Sequence, residues 1–453
     1  MSVTLVYPEP VQIRIGAKHA PLTEDGMNPL SINITASGTG IERDGAFLPL
    51  LIDTNWAAFS DVPEGEWRLY LRLRRRQGFT AVIVTVLPIV HDRTEGRESR
   101  YPFARRPDGT FDWATPEADY VGHVRRYVEI ARREFGLEVF VTVLWNNYLP
   151  GTWGSRLEPY VVMPADVRRA HVERVVDALA DLEPVFVVSG DDGFDSAEAN
   201  DAYRETIATM RERAPDALVT THGAPAAQIP DDILDRLDLY LFQSGHNVAQ
   251  QALAWETAER LAARTPRKPV VNVEPPYERH GMVGGSGRWS SSDVRRASWA
   301  GVLAGAGAGV GYAAHGVWMW STAEGRFLFA HGSQEPATWV EAMTFPGVHD
   351  IALLGYLIRT HRLDRTTPGS HPLAEIDPRF RLAVTADDSL LALYFPYDRP
   401  VELARDFADY VVSAWDLAAR APFVPELIRE GKATHLRPAG VAEDALIVAE
   451  RRR

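Results

Sequence analysis

The chain has 453 residues, 45% of them apolar and 24% charged, with no cysteine and a formal net charge of −13. That length exceeds one ordinary core and fits a barrel of roughly 250 residues with a smaller domain beside it. The missing cysteines exclude disulfides, thiolate metal sites and cysteine nucleophiles, and the acidic balance speaks against nucleic acid or an anionic membrane as a partner, since both need clustered positive charge.

Residues 1–47 read as a β-like segment, with Val11-Gln12-Ile13-Arg14-Ile15 alternating, that adds to a later β domain or plugs the bottom of a barrel. Met1 to Leu5 carry no basic stretch followed by an apolar run, so the expectation is a cytoplasmic protein without a secretory signal. No stretch of about 18 apolar residues is present to span a bilayer.

From residue 48 one unit recurs: a short apolar run, a polar or aromatic loop, and an amphipathic helix. The runs are Leu50-Leu51-Ile52, Ala81 to Val86, Val139 to Leu144, Val185 to Val188, Ala217 to Thr220, Leu239 to Phe242, Pro269 to Val273 and Gly309 to Tyr312. Continuous apolar character suits parallel strands buried on both faces. Helices are expected over Glu64 to Gln77, Tyr120 to Phe135, Pro164 to Leu182, Ala199 to Ala214 and Asn247 to Arg264, where apolar residues recur at three- and four-residue spacing. The basic run Arg74-Arg75-Arg76 falls on the first of these and, like Arg451-Arg452-Arg453 at the tail, reads as solvated charge.

Eight alternations predict an α/β fold: a (β/α)₈ TIM barrel over residues 48–365. The glycines at 301, 305, 307, 309 and 311 lack the Lys-Ser/Thr pair of a phosphate cradle and are expected to serve close packing around the last strand. Past residue 366 the runs Leu382 to Thr385, Leu390 to Phe395 and Tyr410 to Trp415, parted by turn residues, predict a small C-terminal antiparallel β-sandwich domain.

Barrel enzymes carry their chemistry on the loops after the strands. There the sequence places Asp53, Asn55 and Trp56, then Trp145 and Asn146, Asp191 and Asp192, His222, Gln243 and His246, Glu274, Tyr277 and Glu278, and finally His315 and Trp318. Such an aromatic cup with amides, imidazoles and carboxylates suits a carbohydrate. Glycosidic cleavage needs an acid for the leaving oxygen and a second carboxylate to attack or to activate water. Asp191 and Glu274, after strands four and seven, face each other across a barrel mouth and are the expected catalytic pair, with Asp192 and Glu278 as neighbouring rivals. His222, His246, His280 and His315 with Asp53 raise a metal-dependent hydrolase or isomerase as an alternative, but no His-x-His follows the first strand. The expectation is therefore a site with no metal or other cofactor. A carbohydrate-binding pseudoenzyme is the other alternative.

Several blocks resemble the apiosidase-like glycoside hydrolases, family 140 of the carbohydrate-active enzymes. These are Phe47 to Trp56, Tyr70-Leu71 with Gln77-Gly78-Phe79-Thr80, Ser189-Gly190-Asp191, Tyr240 to His246 and Lys268 to Glu278. Ala414-Trp415-Asp416 and Ala442 to Val448 resemble the ends of the β-sandwich that often follows such a barrel. The resemblance implies Asp191 as acid/base and Glu274 as nucleophile of a retaining glycosidase, with Asp53, Trp56, Gln243 and His246 shaping the sugar site. It implies a small glycoside or oligosaccharide as substrate, a furanoside such as apioside among them.

Overall fold

The eight apolar runs become eight parallel strands in the computed structural model, which describes residues 31–90, 93–95, 99–328, 334–370, 377–431 and 433–452. They are β1 (Leu50–Thr54), β2 (Ala81–Thr85), β3 (Glu138–Trp145), β4 (Val185–Gly190), β5 (Val219–Thr220), β6 (Tyr240–Gln243), β7 (Val270–Glu274) and β8 (Gly309–Tyr312). Their spatial order is β5-β4-β3-β2-β1-β8-β7-β6. A parallel bridge between His222 and Leu241, with the Asp238 N–H donating to the Val219 carbonyl, joins the two ends and closes the barrel. Nearly every strand residue is buried, as strands covered on both faces require.

The glycines of β8 make that closure possible. A Cβ on Gly309 would lie 2.0 Å from the Leu50 carbonyl oxygen, and one on Gly311 would lie 1.7 Å from that of Val273. Close packing is thus their role, as the sequence suggests.

Helices Glu64–Arg76, Tyr120–Glu129, Ala165–Leu179, Ala197–Arg213, Leu253–Ala262, Ser291–Leu303 and Gly347–His361 jacket the strands. The helix expected from Asn247 begins six residues later. The Asn247 side chain accepts from the Ala249 N–H and starts a separate 3₁₀ turn, Val248–Gln250, a competition with the helix backbone that short amide side chains often win. Among the described residues no helix is long and apolar enough to cross a membrane.

A three-stranded antiparallel sheet (Ile32–Ile34, Ile41–Arg43, Ala46–Phe47) precedes the barrel. Arg43 donates to the Gly136 carbonyl at 3.1 Å and pairs with Glu138, the first residue of β3, so this sheet packs under the barrel floor. Val11 to Ile15 lie outside the described residues.

After the barrel, a six-stranded antiparallel sheet (from Thr367–Gly369 to Ala445–Arg451) and a three-stranded one (Val401–Leu403, Ala433–Arg437, Glu426–Glu430) pack as a sandwich. Phe380, Leu393, Phe395 and Ile447 fill its core. Arg295 ties it to the barrel: the guanidinium reaches Asp350 at 3.1 Å and Asp444 at 2.7 Å, and the Tyr394 hydroxyl donates to Asp444 at 3.0 Å.

Candidate active site

The loops at the carboxyl ends of the strands enclose a cup of about 500 Å³, walled by Trp56, Trp145, Trp153, Trp318, Tyr277, Gln243, His246 and His280 with Asp191 and Glu274. Strand ends deliver these groups because side chains on a buried strand are fixed by packing, while the loop that follows is free to vary.

Glu274 is the last residue of β7 and is 8% exposed. His246 Nε2 lies 3.1 Å from its Oε1, and His222 Nε2 lies 3.4 Å from its Oε2. Both rings have their tautomer set by the backbone. His246 Nδ1 accepts the Tyr277 N–H at 3.3 Å, and His222 Nδ1 accepts the Asp191 N–H at 3.3 Å. An accepting Nδ1 in a neutral ring leaves the proton on Nε2, so His246 donates to the carboxylate, while His222 Nε2 lies near it without a hydrogen bond. Burial pushes His222 below the usual histidine range, and the Glu274 carboxylate partly offsets this. The Tyr277 hydroxyl also hydrogen-bonds Glu274 and itself accepts from Trp56 Nε1 at 3.2 Å. Burial raises Glu274 above the ordinary carboxylate range, while His222 and Tyr277 draw it back.

Asp191 follows Gly190 at the end of β4. A Cβ on Gly190 would lie 2.1 Å from the Trp145 ring, so glycine is what lets that ring close the wall. Asp191 itself has φ of 54°, in the left-handed region. The strain is held from several sides. Trp153 Nε1 donates to its carbonyl at 2.6 Å, the Asn146 side chain donates to the same oxygen, and His222 takes its N–H. Gln243 Nε2 donates to the carboxylate Oδ1 at 2.6 Å.

Of the expected sugar-binding residues, Trp56, Trp145, Gln243, His246, Tyr277 and Trp318 line the cup. Four do not. Asp53 is closed off in the barrel by Arg74 Nε at 2.7 Å and the Tyr70 hydroxyl at 2.6 Å. Asn55 is buried and does not line the cup. Asn146 spends its amide on the Asp191 carbonyl, and His222 is fully buried behind Glu274. Spacing along the chain placed these four at strand ends but could not tell an inward from an upward side chain.

The rival carboxylates are likewise committed elsewhere. Asp192 accepts from the Tyr203 hydroxyl at 2.8 Å, and Glu278 accepts from the Tyr312 hydroxyl at 2.6 Å and the Gly347 N–H at 3.0 Å. Trp153 and His280 line the cup as well, though the sequence does not point to either as a sugar-binding residue. Trp153 sits one residue past Thr152, which caps a short helix, and an aromatic beside a cap in the long loop after β3 was the available signal. His280 stands out only as one of four histidines near strand ends.

Among the described residues no group of three or more histidine, aspartate or glutamate side chains is arranged to hold a metal ion. His222 and His246 have each spent their Nδ1 lone pair on a backbone N–H, so neither offers a free lone pair to the cup.

The family model described as "Apiosidase-like, catalytic domain" matches residues 41–364. The chain belongs to the apiosidase-like family. This makes it a glycoside hydrolase, with carbohydrate as its substrate class. The apiosidase-like chain also resembles solved structures in fold. One, described as "Glycoside hydrolase", is 18% identical with a TM-score of 0.74, covering 93% of this chain and 97% of that one. A glycoside hydrolase family 5 from Bacteroides vulgatus ATCC 8482 is 18% identical with a TM-score of 0.73, covering 93% of each chain. No curated protein matches the chain.

Proposed function

We propose that the protein is a retaining glycosidase in which Glu274 is the nucleophile and Asp191 the acid/base, acting on a small glycoside or oligosaccharide, a furanoside such as apioside among them. The observation that carries this reading is the division of labour among the carboxylates at the strand ends. Asp191 and Glu274 open into one aromatic cup, while Asp53, Asp192 and Glu278 are tied into the interior.

The roles follow from the partners. Glu274 accepts from His246 Nε2 and the Tyr277 hydroxyl, donors that favour the carboxylate needed for attack on the anomeric carbon. Asp191 stands on the wall built by β4, where the leaving oxygen would take its proton. Water then enters on the same side, with Asp191 as base, and the glycosyl–Glu274 ester is cleaved with net retention. Trp56, Trp145 and Trp318 offer apolar faces for the sugar ring.

The test is turnover of a panel of aryl furanosides and pyranosides, apioside and arabinofuranoside included, with and without chelator. Glu274→Gln and Asp191→Asn run beside the wild type. Turnover that survives chelator and is lost in both variants supports the pair. Turnover lost to chelator but kept in the variants overturns it in favour of metal-dependent chemistry. A wild type that binds sugar but turns over no glycoside points to a pseudoenzyme.

A further inference from the structure

We propose that His280 is a specificity-determining residue of the cup: its Nε2 accepts a hydrogen bond from one hydroxyl of the bound sugar, so a deoxy or carboxylate group in that place is disfavoured. The proposal rests on the reading of the cup as a sugar site.

The proton on this ring can be placed from its surroundings. His280 Nδ1 lies 2.7 Å from the Gly281 carbonyl oxygen. A carbonyl only accepts, so Nδ1 carries hydrogen, and in the neutral ring Nε2 carries a lone pair. The ring is kept neutral by what packs against it. It stacks on His246 with centroids 4.3 Å apart, meets His315 edge-on at 4.9 Å, and lies 6.2 Å from Tyr277 and 6.5 Å from Trp318. A charged imidazolium between two other imidazoles, with Arg288 also near, is penalised by burial first and by those neighbours second.

Nε2 has no protein partner among the described residues and is not an enclosed atom, while the ring itself lines the cup. Both nitrogens of the neighbouring His246 are spent on Tyr277 and Glu274, and Gln243 Nε2 donates to Asp191. The backbone pre-positions the ring as well. The His280 N–H donates to the Tyr277 carbonyl at 3.1 Å, and the Trp289 N–H donates to the His280 carbonyl at 3.0 Å. An acceptor held still before binding costs little ordering when a ligand arrives, so it discriminates through what the ligand offers. A sugar hydroxyl donates; a carboxylate or phosphate oxygen cannot, and its charge would face the lone pair.

The test has two arms. In the full chain labelled with ¹⁵N-histidine, the His280 nitrogens are assigned by their loss in His280→Phe and followed between pH 5 and 8. The expected result is a neutral Nδ1–H tautomer throughout. An Nε2–H tautomer, or titration near the ordinary histidine value, overturns the proposal. The second arm compares kcat/KM of wild type and His280→Phe on an aryl glycoside that the wild type turns over and on its monodeoxy analogues. Phenylalanine keeps the ring stack and removes the lone pair. Wild type should lose about tenfold or more on one deoxy analogue, and His280→Phe should lose a similar factor on the parent while no longer telling the two apart. Equal losses on the parent and every analogue would mean a packing role and overturn the proposal. Because the nitrogen shifts are read without ligand, they judge His280 even if no glycoside is turned over, a silence that would count against hydrolysis alone.

Discussion

The imidazole of His222 accepts the backbone N–H of Asp191 at 3.3 Å on one edge and faces the Glu274 carboxylate at 3.4 Å on the other. One buried ring therefore links the backbone of Asp191 to the carboxylate of Glu274, although it never reaches the cup. Replacing it by phenylalanine keeps the volume and removes both contacts. His222→Phe is expected to lower kcat by about a hundredfold, the scale on which a misplaced reacting group costs rate, with a much smaller change in KM. A change confined to KM would place His222 in sugar binding after all.

Burial raises Glu274 above its ordinary value of 4.5. A nucleophile works as the carboxylate, so activity is present above its pKa in the folded protein and is lost as pH falls through it. The acid limb of kcat/KM is therefore expected above pH 4.5. His246→Phe removes an N–H aimed at Oε1, leaves the carboxylate less stabilised and should move the limb further up. A downward move on that substitution would contradict the arrangement.

Asp53, expected from the sequence to shape the sugar site, is paired with Arg74 and Tyr70, and we propose a structural role for it. Both members of the ion pair are 0% exposed, and removing one partner from such a pair costs about 3–5 kcal/mol. Asp53→Ala is expected to destabilise by that amount in urea unfolding, and the fraction that remains folded should keep its KM. A loss below about 1 kcal/mol would show that the pair is not closed as described.

What could be read without coordinates follows the physics of each signal. Burial on both faces writes itself into a strand as a continuous apolar run, so all eight barrel strands were visible, down to the two-residue β5. The glycines of β8 were legible as packing because no chemistry accompanied them. The proposed pair stands out in the sequence because Glu274 ends one strand and Asp191 directly follows another. Hidden from sequence was the direction of side chains one or two residues apart: Asp191 opens into the cup and Asp192 turns to Tyr203. The same holds for Asn55 beside Trp56. Long-range partners such as Arg74 for Asp53 decide these cases, and no local pattern announces them.

Gly190 marks the point where fold and site meet. An alanine there would press its Cβ into the Trp145 ring at 2.1 Å, and overpacking of this kind costs about 1–3 kcal/mol. Gly190→Ala should lower the melting temperature modestly yet reduce kcat/KM far more, because the displaced ring is a wall of the cup and Asp191 is the next residue. Proportional losses in both would mean that Trp145 does not shape the site.

In the proposed mechanism Glu274 forms a covalent bond to the sugar. The most direct measurement is peptide mapping by mass spectrometry after reaction with a 2-deoxy-2-fluoro glycosyl fluoride of the sugar that the enzyme turns over. One glycosyl adduct is expected, on the peptide carrying Glu274, absent in Glu274→Gln. An adduct on another residue, or no adduct together with an inverted product anomer, would contradict it.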